Sequence, residues 1–265
     1  MQLRRFVTSS VGPSSAFVWQ DDARMGEVTN EFPRPDYPNS PLEGVVFEIR
    51  FPGEPAIECH RDEFFAMARA EFPTVLVPKL QTGEAVALSP YRFQRADNSA
   101  SLMTALNLFA YQTSRYPGFP KFKHDALRWV KAFGQRFEIG RLSRTGLRYT
   151  NIIPYAPGDV FPVADFLDVS VKLGVVEAAS FSHFQLSAVI PSTSGEITVQ
   201  IQEMEGANGI ESSIFLDFDF AMSGGELHLD RVDEYLENSH TETKRLFEGL
   251  LTSRYRSFLR GEGLE

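Results

Sequence analysis

Residues 119–153 read FPKFKHDALRWVKAFGQRFEIGRLSRTGLRYTNII, and two periods meet in this stretch. Phe119, Phe122, Ala126, Trp129, Val130, Phe133 and Phe137 recur at intervals of three and four. That spacing puts side chains on one stripe of an α-helix, so an amphipathic helix lying on a sheet or on another helix is predicted. Farther on the period drops to two. Leu147, Tyr149, Asn151 and Ile153 share one face of a predicted strand, because successive strand side chains point to opposite sides.

The same two periods recur on either side. Val45, Phe47, Ile49 and Phe51 alternate with Val46, Glu48 and Arg50, the pattern of a half-buried strand. A helix follows over Arg61 to Phe72, with Phe64, Phe65, Ala68 and Phe72 at helical spacing, and then short strand-like pieces from Val75 to Phe109 broken by Pro78, Gly83 and Pro90. Past the Pro154 to Pro162 turn region, Phe184 to Ile190 and Ile197 to Ile201 alternate. The pair Asn208-Gly209 signals a hairpin returning through Ile214, Leu216, Phe218 and Phe220. A helix from about Asp230 closes the chain, with Val232, Tyr235, Leu236, Leu246, Leu250 and Leu251 facing inward.

Strands followed by a helix, twice over, without the strand–helix alternation and Gly-rich turns of a parallel nucleotide-binding sheet, specify an α+β fold: antiparallel sheets packed by amphipathic helices, as two similar strand-rich halves each closed by a helix. The expected organisation is a flexible N-terminal arm over 1–40, rich in Ser, Gly and Pro, an α+β half over 41–157, and an antiparallel sheet with its terminal helix over 158–265.

At 265 residues with 43% hydrophobic and 23% charged residues, the chain can bury a full core without a structural metal or cofactor. Its longest apolar runs, near Val45–Phe51 and Ile214–Phe220, are strand-sized and fall short of a membrane span. Met1 to Ser15 lacks the apolar segment of a signal peptide, Cys59 is the single cysteine, and no Asn-x-Ser/Thr acceptor occurs, so a cytoplasmic location is expected.

Three segments, Pro41-Leu-Glu-Gly-Val-Val-Phe-Glu-Ile-Arg-Phe51, Gly146-Leu-Arg-Tyr-Thr-Asn-Ile-Ile153 and the C-terminal His240, Phe247 and Leu251-Thr252, resemble those of a sporadically distributed bacterial family of uncharacterised proteins of similar length. The resemblance implies an association with mobile elements or defence loci. It implies no reaction and no catalytic residues.

The motifs of P-loop NTPases, dinucleotide-binding proteins, α/β-hydrolases and zinc proteases are missing, and no C-x-x-C occurs. Charge is segregated instead. Between Arg115 and Arg148 nine basic residues face only Asp125 and Glu138, a net of +7 in a chain of net −9, whereas Ser194 to Glu242 holds twelve acids and one base, Arg231. A basic segment carrying Trp129 and Tyr149 can hold phosphates while its rings stack on bases, which makes Arg141, Arg144, Arg148, Asn151 and Lys131 the candidate anion- or nucleic-acid-binding residues. The alternative is that the rings are core and the cations form a solvated face or meet the acidic half within the molecule.

Asp217 and Asp219 project from one strand face and are the candidate ligands of a divalent cation, the cofactor that metal-dependent hydrolase or nuclease chemistry needs; the alternative is the wet face of an antiparallel strand. Asn151 reads as a satisfied structural amide or a site-lining residue. His240 reads as a surface or capping residue, and Cys59 beside His60 lacks the geometry of a thiol–imidazole pair. An exposed edge at Pro41–Phe51 would accept a partner's strand. The expected function is that of a non-enzymatic interaction protein, a homo-oligomer or the binder of a partner protein, ahead of a nucleic-acid binder or a metal-dependent hydrolase.

Overall fold

Alternation in the sequence becomes burial in the structure. In strand β1 (Leu42–Arg50), Val45, Phe47 and Ile49 are fully buried while Glu48 and Arg50 face the other way. The structure, a computed structural model, describes residues 37–77, 90–155, 162–173, 176–178, 183–205 and 212–262. After β1 come α1 (Ala56–Cys59), α2 (Arg61–Ala68), β2 (Thr74–Leu76), β3 (Tyr91–Gln94), β4 (Ala100–Ala105), β5 (Leu108–Thr113) and the long α3 (Phe119–Arg136). Then follow β6 (Arg141–Tyr155), α4 (Val163–Phe166), β7 (Val171–Leu173), β8 (Val176–Ala178), β9 (Gln185–Pro191), β10 (Glu196–Glu205), β11 (Ser212–His228), α5 (Val232–Leu250) and α6 (Ser253–Leu259).

Nine strands form one antiparallel sheet in the order β2-β3-β4-β5-β1-β6-β11-β10-β9, and β7 and β8 form a separate ribbon. The protein is therefore α+β with an antiparallel sheet. Its order has an internal symmetry. Outward from the central β1–β6 pair run β5, β4, β3 and β2 on one side and β11, β10 and β9 on the other. Each half begins with its central strand, makes a short helix, adds strands toward the centre and ends in a long helix, α3 or α5. The halves share a single sheet, because β6 pairs with both β1 and β11.

Helices cover one face. Phe64 of α2 and Phe122, Trp129 and Phe133 of α3 pack with Phe47 and Leu147, while Tyr235 of α5 and Tyr255 and Leu259 of α6 pack with Leu216, Phe218 and Ile201. The register Phe47↔Leu147↔Phe220 puts all these strand residues on the same side. The predicted helix over 119–137 is α3, with Pro120 in its first turn, where a missing N–H breaks no helical bond. Helix α2 stops at Ala68, short of the predicted Phe72, yet Phe72 remains fully buried from the turn that follows.

Two expectations need correction. Pro41–Phe51 is no edge: β1 is paired on both sides, by β5 and β6, so its backbone groups have no capacity for a partner's strand. Among the described residues the sheet ends instead at β2 and β9. Residues 37–40, expected to belong to a flexible arm over 1–40, are tied down. The Tyr37 hydroxyl donates to Glu248 at 2.6 Å, and the Asn39 backbone N–H donates to the Leu259 carbonyl at 3.2 Å. Residues 1–36, and the Asn208-Gly209 pair, lie outside the described residues; the strands flanking that pair are antiparallel from Glu196↔Ala221 to Glu205↔Ser212.

Candidate functional site

The face of the central strands opposite the described helices carries the predicted arginines and aspartates together. Strand β6 is unbroken from Arg141 to Tyr155, and alternation points Arg144, Arg148 and Thr150 away from the helices. The register then sets Arg148 opposite Asp219 and Thr150 opposite Asp217, with Arg50 of β1 opposite Arg144. A diagonal ladder results. Arg144 donates to Glu48 of β1 at 2.9 Å and to Asp219 of β11 at 2.9 Å, while Arg148 donates through Nε to Asp217 at 2.7 Å. Thr150 Oγ1 donates to the same Asp217 oxygen at 3.0 Å, and Arg50 Nε donates to Glu48 at 2.6 Å.

Gly146 makes room for this arrangement. A Cβ there would come within 2.5 Å of the Arg144 guanidinium, so the side-chain-free position lets the cation lie flat across the strand toward both acids. The Asp217 side chain is only 3% exposed. Burial raises its pKa above the ordinary carboxylate value, with Arg148 and Thr150 pulling it down and Asp219 adding to the rise.

A cation shared by Asp217 and Asp219 would have to displace two guanidinium groups that already hold those carboxylates. Among the described residues no group of three or more His, Cys, Asp or Glu is arranged to hold a metal ion.

Five more cations of the basic segment are also matched to acids. Arg115 pairs with Asp97, Lys121 with Asp125, Lys123 with Asp233 and Glu237, Arg128 with Glu71, and Arg136 with Glu63. Lys131 and Arg141 are exposed, and Lys131 stands on α3, across the sheet from Arg144 and Arg148, so the five predicted anion-binding residues do not form one surface. The stacking expectation is overturned. Trp129 is 7% exposed and packs edge-on against Phe64 and Phe72, because the aromatic stripe of α3 is the face that meets the sheet. Asn151 is a satisfied amide: it is buried on the helix side of β6 and donates to the carbonyl of Leu216, its register partner, at 3.1 Å.

The residue that sequence reasoning misplaced is His240. It is half-buried and caps nothing. Its ring stacks on Phe119 of α3 at 3.6 Å and 9°, and its Nδ1 lies 2.8 Å from the Tyr149 hydroxyl on β6. Burial, with Lys244 adding repulsion, lowers its pKa to about 4, so the ring is neutral near pH 7. Burial and the neighbouring Tyr116 hydroxyl push Tyr149 well above the usual phenol value. Beside this cluster, Lys123 of α3 bonds Glu237 of α5 at 2.7 Å. Together these contacts clasp the closing helix of one half to that of the other. The signal was present in the sequence, since His240 falls on the same helical stripe as Leu236 and Thr243.

Cys59 is exposed, and His60 turns away to Glu63 at 2.8 Å, so the two form no catalytic pair. No described helix is long and apolar enough to cross a membrane. The chain matches no protein-family model and no curated protein.

Proposed function

We propose that this chain is a cytoplasmic, non-enzymatic interaction protein that associates with itself or binds a partner protein. One observation carries the reading. Of the eight large hydrophobic residues exposed among the described residues, five lie at the two ends of the sheet: Val75, Leu76 and Val77 on or just after β2, and Val189 and Ile190 on β9. Edge strands usually carry charge that discourages strand addition. Neither Thr74–Leu76 nor Gln185–Pro191 contains a charged residue.

Internal pairing of the basic and acidic segments removes long-range charge attraction as a support for nucleic-acid binding and leaves the apolar edges as the feature in need of a partner. The family resemblance extends the proposal to a partner encoded at a mobile-element or defence locus. Native mass spectrometry of the protein isolated from its own host at low salt tests the reading. An oligomer or a protein complex is expected. A monomer that retains no protein refutes it, and added mass from metal or nucleotide moves support to the alternatives.

A further inference from the structure

The two halves of the sheet match strand for strand until the outermost position. Counting from the centre, β6 corresponds to β1, β11 to β5, β10 to β4 and β9 to β3. In the first half β3 is covered by β2 through Thr74↔Gln94, Val75↔Phe93 and Leu76↔Arg92. Among the described residues no strand covers β9.

The side of β9 that faces outward follows from the hydrogen bonds at its ends. The Ser192 N–H donates to the Gly195 carbonyl at 2.8 Å, and the Glu203 N–H donates to the Phe184 carbonyl at 3.2 Å. In an antiparallel ladder the direction alternates, so Ser192, Ile190, Ala188, Leu186 and Phe184 turn their backbone groups toward β10. Gln185, Ser187 and Val189 turn theirs outward. Val189 is 60% and Ile190 38% exposed, and nothing charged interrupts the strand from Gln185 to Pro191.

The strand that fills the equivalent place in the first half, Thr-Val-Leu, is uncharged and apolar or β-branched. Strand β9, Gln-Leu-Ser-Ala-Val-Ile-Pro, is likewise uncharged and carries the β-branched pair Val189 and Ile190. We propose that β9 is a homodimer interface: β9 of a second copy pairs antiparallel with it about a two-fold axis at Ser187, extending the sheet across both molecules. The proposal rests on the interaction reading above and names its partner.

The register follows from the backbone. Centring on Ser187 sets Ser187 opposite its own copy and Gln185 opposite Val189, which engages every outward N–H and carbonyl of those three residues and leaves Pro191, which lacks an N–H, outside the ladder. No like charges meet across the axis. The interface is isologous, so it closes at two copies.

Three variants test it in the full chain, alongside light scattering of the wild type, which is expected to give twice 29.8 kDa. Ser187→Pro removes an outward N–H and leaves the β9–β10 ladder intact, so the monomer keeps its circular dichroism and urea midpoint while dimerisation weakens by at least about tenfold. In a Cys59→Ser background, Ser187→Cys is expected to form a disulfide dimer under mild oxidation, since Cα atoms of a hydrogen-bonded antiparallel pair lie about 5.5 Å apart, within disulfide reach. Gln185→Cys, four residues from its copy, is expected not to.

A wild-type dimer that survives Ser187→Pro, or equal cross-linking at 185 and 187, overturns this interface and leaves the interaction reading standing. A monomer that captures a partner protein does the same. A monomer that binds no protein overturns both.

Discussion

The two faces of β6 solve the same problem in opposite ways. On the helix side, Leu147, Tyr149 and Ile153 are stabilised by leaving water and touching many neighbours, Thr145 is buried among them, and the amide of Asn151 has found a carbonyl. On the other side, Arg144, Arg148 and Thr150 are stabilised by directional bonds to the charged groups of Glu48, Asp217 and Asp219. The first face tolerates changes of shape poorly and needs no particular partner. The second depends on identity, since removing one member of an ion pair leaves the other with nothing to offset its desolvation.

The contrast is tested first where the effect is largest. Phe133 stacks on Phe109 at 4.6 Å and meets Phe64 at 5.2 Å, so Phe133→Ala is expected to cost about 3–5 kcal/mol, read as a lower urea midpoint. Next comes the charged face. Arg148→Met leaves the buried Asp217 without its cation and is expected to cost about 3 kcal/mol, whereas the double variant Arg148→Met with Asp217→Leu recovers most of the loss. A double-mutant cycle in urea checks this, and a double variant no more stable than Arg148→Met would show the ladder to be ordinary surface pairing.

The clasp between α3 and α5 sharpens the comparison by pH. His240 has its folded pKa lowered to about 4 from 6.5, so the unfolded chain takes up the proton first. The stability contributed by the neutral ring is fully present above pH 6.5 and is lost as pH falls toward about 4. Thermal melts across that window are expected to show a steeper decline for the wild type than for His240→Gln. The smallest effect belongs to the exposed cations. Lys131→Ala and Arg141→Ala are expected to change the melting free energy by less than about 0.5 kcal/mol, which calorimetry resolves.

Much of this architecture is legible in the sequence. The helical stripe from Phe119 to Phe137, the alternation in β1, β6, β10 and β11, and the order of strands and helices all appear in neighbouring residues. Even spacing along one strand puts Arg144 and Arg148 on one face, and Asp217 and Asp219 on one face. Their meeting was not legible, because Arg148 and Asp217 are 69 positions apart and only strand pairing brings them together. Reading the charge of each segment separately therefore suggested binding surfaces where the molecule has internal pairs. The position of β1 is hidden for the same reason: it carries a strand's alternation whether it lies at the rim or at the centre.

Period, burial pattern and element type are properties of consecutive residues, governed by the geometry of one helix turn or one pleat, and the sequence of this protein specifies them locally. Which strands are neighbours, which charges are neutralised and which backbone groups of β9 turn away from β10 depend on register between distant segments. Those were decided only when nine strands closed into one sheet with two edges, because a hydrogen-bond partner is defined by proximity in space and not along the chain.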